Sequence, residues 1–186
     1  MSHPVLDHND PRWKRLHELI IEHSLRYGDF VLASGQTSKF HFQIGQTLLH
    51  PEGASITGGI VVDYMREHDI DCLGGPALGA VSLAAVTAAM GHVKGWPVHA
   101  FFVRKDQKEH GACQKIDGHL QTETEVLAVD DVATRGGSFL TAIREMNGAI
   151  VRRALVVLDR EEGATEKLAA NEIELLSIFK KSDFGL

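Results

Sequence analysis

Two stretches of the chain concentrate groups able to do chemistry on phosphates. The first, VLAVDDVATRGGSFL at residues 126–140, runs four apolar residues into Asp130 and Asp131, then into Thr134, Arg135, Gly136, Gly137 and Ser138. The apolar run reads as a buried strand, and the loop after it opens a helix whose first N–H groups have no partners inside the helix. Gly136 and Gly137 let those amides close around an anion, Thr134 and Ser138 add hydroxyl donors, and the helix dipole favours the same charge. Two carboxylates beside such a cup cannot hold the phosphate, but they can accept hydrogen bonds from sugar hydroxyls, as in a ribose 5-phosphate. The pattern is neither GxxxxGK[ST] nor GxGxxG. Taken alone, an acid before a glycine loop is more often the N-cap of an ordinary strand–turn–helix.

The second stretch, FVRKDQKEHGACQKIDG at residues 102–118, places Arg104, Lys105, Lys108 and His110 within seven residues. The formal net charge is −6, so the surface as a whole does not attract anions and any phosphate must be held by such a local cluster. Asp106 and Glu109 cancel much of its charge, and by itself the segment also reads as a solvated loop. The chain has 11 histidines but neither HExxH nor paired Cys/His spacing, so solvated or core histidines are the better reading. Cys72 and Cys113, the 2 cysteines, cannot build a disulfide framework and fit a reducing compartment. With neither a membrane-span pattern nor a secretory leader, the expected location is the cytoplasm.

The elements that must position these groups follow from the apolar pattern. Hydrophobic residues make up 44% and charged residues 24% of the 186, the usage of a globular protein, and one domain over 1–186 is expected. Residues 1–10 read as a polar, flexible tail, and 11–50 as an N-terminal helix and hood. DPRWKRLHELIIEHSLRYG reads as a helix capped by Asp10, opened by Pro11 and ended by Gly28. DFVLASG and SKFHFQIG read as a hairpin turning at Gly35, and PEGASITGGIVVDYMREH as a helix. From Asp71 onward strands and helices alternate. DCLGGPALGA is a strand entering a Gly/Pro loop, and VSLAAVTAAMG a helix apolar on nearly all faces and so expected to be buried. VHAFFVRK, EVLAVDD and RRALVVLDR are continuous apolar strands, GSFLTAIREM is a helix, and ELLSIFKK is a weaker last strand. Continuous apolar strands separated by helices indicate an α/β fold with a mostly parallel sheet flanked by helices, whose ligands bind beyond the strands' carboxyl ends.

On these residues the chain resembles the type I phosphoribosyltransferases, and within them the orotate phosphoribosyltransferases. Residues 126–138 are similar to the signature that binds phosphoribosyl pyrophosphate (PRPP), with Arg135 standing where a small residue is usual. Arg104, Lys105, Lys108, His110 and Gly111 fit the family's R-K-x-x-K-x-H-G loop. The resemblance extends from about Phe30 to Leu186, including the ending KSDFGL.

The resemblance implies PRPP contacts from Arg104, Lys105, Lys108, His110 and the run Asp130, Asp131, Val132, Ala133, Thr134, Arg135, Gly136, Gly137 and Ser138. Lys108, Asp130 and Asp131 would carry the catalysis. Pro76, Ala77, Leu78 and Gly79 would form a pyrophosphate loop, and His41, Phe42, Thr134 and Arg160 would bind orotate. It further implies Mg²⁺ held mainly by substrate and water rather than by protein ligands. It also implies a homodimer with shared active sites, and neither nucleic acid nor membrane as partner. Ala33, His41, Gln43 and Leu78 depart from the family's usual residues, which bears on the base more than on the donor. The other readings of the same residues are a phosphoribosyltransferase for another nucleobase and a non-catalytic PRPP-sensing regulator. The regulator would be expected to have lost the basic loop and gained a nucleic-acid face.

Overall fold

A computed structural model describes residues 2–31, 37–105 and 115–186. After the strand β1 (His3–Pro4) come helix α1 (Pro11–Leu19), a wider helical turn (Ile20–Ser24) and the hairpin β2 (Leu25–Val31) and β3 (Thr37–Phe42). Helices α2 (Ile44–Leu48) and α3 (Pro51–Glu67), strand β4 (Cys72–Pro76), helix α4 (Gly79–Val93) and strands β5 (His99–Val103) and β6 (Ile116–Gly118) follow. The last part is β7 (Glu125–Ala133), α5 (Gly137–Ile143), β8 (Ile150–Asp159), α6 (Ala164–Ala169), β9 (Glu174–Lys180) and a 3₁₀ turn (Lys181–Phe184). Among the described residues no helix is long and apolar enough to cross a membrane.

Strands β1, β9, β8, β7, β4, β5 and β6 lie side by side in that order, all parallel to their neighbours except β6, which runs against β5. From β4 the chain steps outward to β5 and β6, then returns to the other side of β4 for β7 and steps outward again. The order therefore reverses between β4 and β7, where the loops leaving the two strands part and open a crevice. Strand β7 pairs with β4 only as far as Ala128 but with β8 as far as Ala133. Its last residues, Asp130 and Asp131 among them, thus lie beyond the paired part of β4, where the two strands have separated. The middle of β7 and β8, Val126–Val129 and Ala154–Leu158, is fully buried, as continuous apolar strands require.

Several expectations need correction. The N-terminal residues are not a free tail: Ser2 is buried with its Oγ 2.8 Å from Ser177 Oγ, and His3–Pro4 pairs with Leu176–Ser177. The edge of β9 would otherwise leave a row of N–H and C=O groups unpaired. Asp10 does cap α1, accepting from Arg12 N–H at 2.8 Å, but the helical stretch ends at Ser24 and not at Gly28. Ser24 is locked by Thr47 Oγ1 at 2.6 Å and by Gln43 N–H at 2.8 Å, and Leu25 already pairs with Phe42. Helix α4 buries one side through Ala80, Leu83, Ala84 and Thr87, while Ala85, Ala89 and Val93 face outward. Alanines and a terminal valine leave too little apolar area exposed to force burial of the second face. Cys72 is a buried free thiol; Cys113 lies outside the described residues.

Candidate active site

The two aspartates sit at the reversal point of the sheet. Asp130 is 7% exposed, and its Oδ1 accepts the Asp131 N–H at 3.0 Å. Burial pushes the Asp130 carboxyl up to about 8, and the neighbouring charge of Asp131 adds to the effect. No described cation pairs with either aspartate. Val132 and Ala133, expected in the phosphate loop, instead continue β7, pairing with Leu158 and Asp159. Ala133 is buried, and its carbonyl holds the Arg160 N–H at 2.9 Å. The loop proper is thus Thr134–Gly136: Thr134 and Arg135 are exposed, and Gly136 precedes α5 at φ 69°, a left-handed value that penalises any side chain.

Across from the aspartates runs the turn after β4. A Cβ on Gly79 would overlap the carboxylates of both Asp130 and Asp131, so only glycine lets this turn lie against the pair. Pro76, Ala77, Gly79, Arg104, Lys105, Asp130, Asp131 and Ser138 line one cleft of about 420 Å³. Leu78 does not join them. It is 85% exposed and lines an adjoining cleft with Val81 and Phe102, which Arg104 and Lys105 also border.

The cleft has further walls that the sequence did not announce. Lys115, Thr141 and Glu145 line it, with Lys115 Nζ 2.6 Å from Glu145 Oε1. Thr141 falls one helical turn past Gly137, a spacing that could have flagged it, while Glu145 lies in the turn after α5 ends. Lys115 follows a polar run with no pattern to mark it. Arg104 forms an ion pair with Asp117 of β6, and its guanidinium carbon stands 5.7 Å from the centre of the Phe102 ring. Lys108, His110 and Gly111 lie outside the described residues, as does Ala33.

On the hairpin, His41 and Phe42 do not form one aromatic surface. Neighbours in a strand point to opposite faces. Phe42 is buried, edge-on to Phe40 at 5.8 Å and to Phe184 at 5.2 Å, whereas His41 lies on the other face, 5.5 Å from the Phe30 ring. Gln43 is exposed and precedes α2. Arg160, at the end of β8, is only 9% exposed; its Nη2 meets Glu162 Oε1 at 2.8 Å, and its Nε has no hydrogen-bond partner among the described residues. A buried, half-satisfied guanidinium is suited to a planar anion.

A parallel sheet that brings a glycine loop, paired aspartates and a second glycine turn together at its reversal point defines the chain's class as a type I phosphoribosyltransferase. No protein-family model matches the chain. It is 42% identical over 177 residues to the orotate phosphoribosyltransferase of Rhodopseudomonas palustris (strain BisB18), covering 91% of this chain and 94% of that one. The orotate phosphoribosyltransferase of Mycobacterium tuberculosis H37Rv in complex with Fe(III) dicitrate superposes with a TM-score of 0.83 at 31% identity, covering 95% of this chain and 100% of the other. The same enzyme in complex with PRPP gives 0.79 at 29% identity, with the same coverage. The chain belongs to the orotate phosphoribosyltransferase family.

Proposed function

We propose that the chain, acting as one domain, transfers the phosphoribosyl group of PRPP to orotate, giving orotidine 5′-monophosphate and pyrophosphate for UMP synthesis. The observation that carries this reading is the pair of buried Asp130 and half-buried Asp131, without a described cation partner, between a glycine loop and a wall of Arg104, Lys105 and Lys115. In the bond-breaking step positive charge grows on the ribose while negative charge grows on pyrophosphate, and the cleft offers each a partner of opposite sign. The aspartates accept the ribose hydroxyls and face the developing cation; Arg104 and Lys105, with Lys108 and His110, meet the leaving group. The amides of Gly136–Ser138 receive the 5′-phosphate. Because hydroxyl donors favour ionised carboxylates, the proton that Asp130 holds near neutral pH leaves when PRPP binds.

The residues fit Mg²⁺. Asp130 and Asp131 are hard oxygen donors, and among the described residues no third His, Cys, Asp or Glu joins them in a ligand cluster, so substrate and water would supply most of the coordination. The ion would supply charge neutralisation on the pyrophosphate oxygens. Arg160 binds the orotate carboxylate in this reading and His41 is the hairpin ring open to the base, which disfavours a base without a carboxylate. A cytoplasmic homodimer with sites shared between subunits fits the exposed apolar side chains of Leu49, Leu78 and Val93, which a partner subunit would cover. The test is a spectrophotometric assay of orotate consumption with PRPP and Mg²⁺, with uracil in parallel. Orotate is expected to disappear and uracil to be turned over poorly; equal turnover of both assigns the enzyme another base.

A further inference from the structure

The hairpin and the Arg160 loop belong to different parts of the chain, yet both are gripped by its last residues. Phe184 stands 5.2 Å from the Phe42 ring and 5.6 Å from Phe179, and it stacks on His17 at 4.5 Å with an interplanar angle of 13°. Asp183 fixes the turn from within: its Oδ2 accepts the Lys180 N–H at 2.7 Å and its carbonyl lies 3.1 Å from His17 Nε2. On the other side, the Ser182 N–H and hydroxyl hold the Glu161 carboxylate at 2.8 and 3.2 Å. Glu161 follows Arg160 directly and stands at φ 57°, a left-handed value that costs a non-glycine residue energy and persists only where the surroundings hold it. Its own N–H is held by Asp159 Oδ1 at 2.9 Å.

We infer that the C-terminal turn is a positioning bracket for base binding: Phe184 sets the hairpin strand through Phe42, Ser182 sets the Arg160 loop through Glu161, and the turn fixes the two relative to each other. The inference rests on the proposed function, because it assigns His41 and Arg160 to the base. The turn touches neither the aspartates nor the glycine loop, so its contribution falls on the base and not on PRPP. Phe184 and Glu161 are therefore specificity-determining positioning residues. They act through the neighbours of groups that touch orotate.

The test is steady-state kinetics on Phe184→Ala, Phe184→Tyr and Glu161→Ala beside the native protein, with thermal melts of each. Phe184→Ala and Glu161→Ala should each raise KM for orotate by about tenfold, the scale of one lost aromatic pair or a charge-assisted hydrogen bond. KM for PRPP and kcat at saturating orotate should stay near native, and Phe184→Tyr, which keeps the ring, should restore orotate KM. Glu161 is half-buried and belongs to no hydrophobic cluster, so its variant carries the test if Phe184→Ala does not fold. An unchanged orotate KM, or a parallel loss in both KM values and kcat, overturns the bracket while leaving the functional reading intact. If the native protein itself does not consume orotate, the functional reading falls and the bracket with it.

Discussion

The same strands of the sheet end in two clefts of similar size, and the two behave differently. Beyond the carboxyl ends lies the cleft of about 420 Å³ holding Asp130 and Asp131. At the opposite ends lies one of about 330 Å³, also acidic, with Asp69, Asp71, Trp96, His99 and Glu125 in its wall. There Glu125 is matched by Arg153 at 2.9 Å and Arg152 at 3.1 Å, and the Trp96 indole N–H is spent on the Ile70 carbonyl at 3.1 Å. Asp130 instead is buried against a like charge, with a glycine turn pressed onto it. Both ends carry carboxylates, and volume does not distinguish them. The distinguishing feature is a buried acid set beside a second acid, with no described cation paired to it, the kind of perturbed group that marks a candidate functional site.

The largest effect that separates the two ends should come from the phosphate loop. A Cβ at Gly137 finds room in the fold, with Lys167 Nζ at 3.6 Å in ordinary contact, so Gly137→Val should fold while blocking the 5′-phosphate. Calorimetry should show PRPP affinity falling at least about 10²-fold, as for loss of a preorganised donor. Asp71→Asn at the opposite end should change it within about twofold, the scale of a surface substitution. A folded Gly137→Val protein with native PRPP affinity would break the comparison.

Next in size is Arg160→Ala, which removes the half-satisfied guanidinium. Orotate affinity should weaken by roughly 1.5–3 kcal/mol, with the weak turnover of uracil unaltered; equal losses for the two bases would remove Arg160 from carboxylate recognition.

The smallest effect is on stability, and it runs in opposite directions at the two ends. Because the Asp130 carboxyl titrates near 8 when folded and near 3.8 when unfolded, the folded state holds a proton that the unfolded state has lost between those values. Its stabilising contribution is complete below the lower value and is lost as the pH rises through the upper one. Asp130→Asn keeps the neutral form at every pH, so it should melt alongside the native protein at pH 3.5 but above it at pH 9. A gain of at least ~1 kcal/mol there corresponds to a rise of about 2–4 °C in a chain of this size. Glu125→Gln, which weakens the pairing with two arginines, should instead lower stability by about 0.5 kcal/mol at pH 7. Melts at the stated pH values decide both, and no gain in Asp130→Asn at pH 9 would remove the uncompensated charge on which the comparison rests.

The phosphate loop is legible in the amino-acid sequence because its parts are contiguous. Four buried apolar residues, two acids and a Gly-Gly turn determine a strand, its end and a set of free amides within thirteen residues, and local rules govern each of them. The parallel sheet is legible for a similar reason, since continuous apolar runs separated by helical patterns admit few other arrangements. The sequence alone therefore determined the fold class and the local elements that carry Asp130, Asp131 and the glycine loop. Only the tertiary structure decided what depends on residues far apart in the chain. Among these are the pairing of His3–Pro4 with β9, the requirement for glycine at position 79 opposite Asp130, the place of Lys115 and Glu145 in the cleft wall, and the burial of Phe42 against Phe184. No spacing rule reports such contacts, because each is fixed by the packing of two segments far apart in the chain.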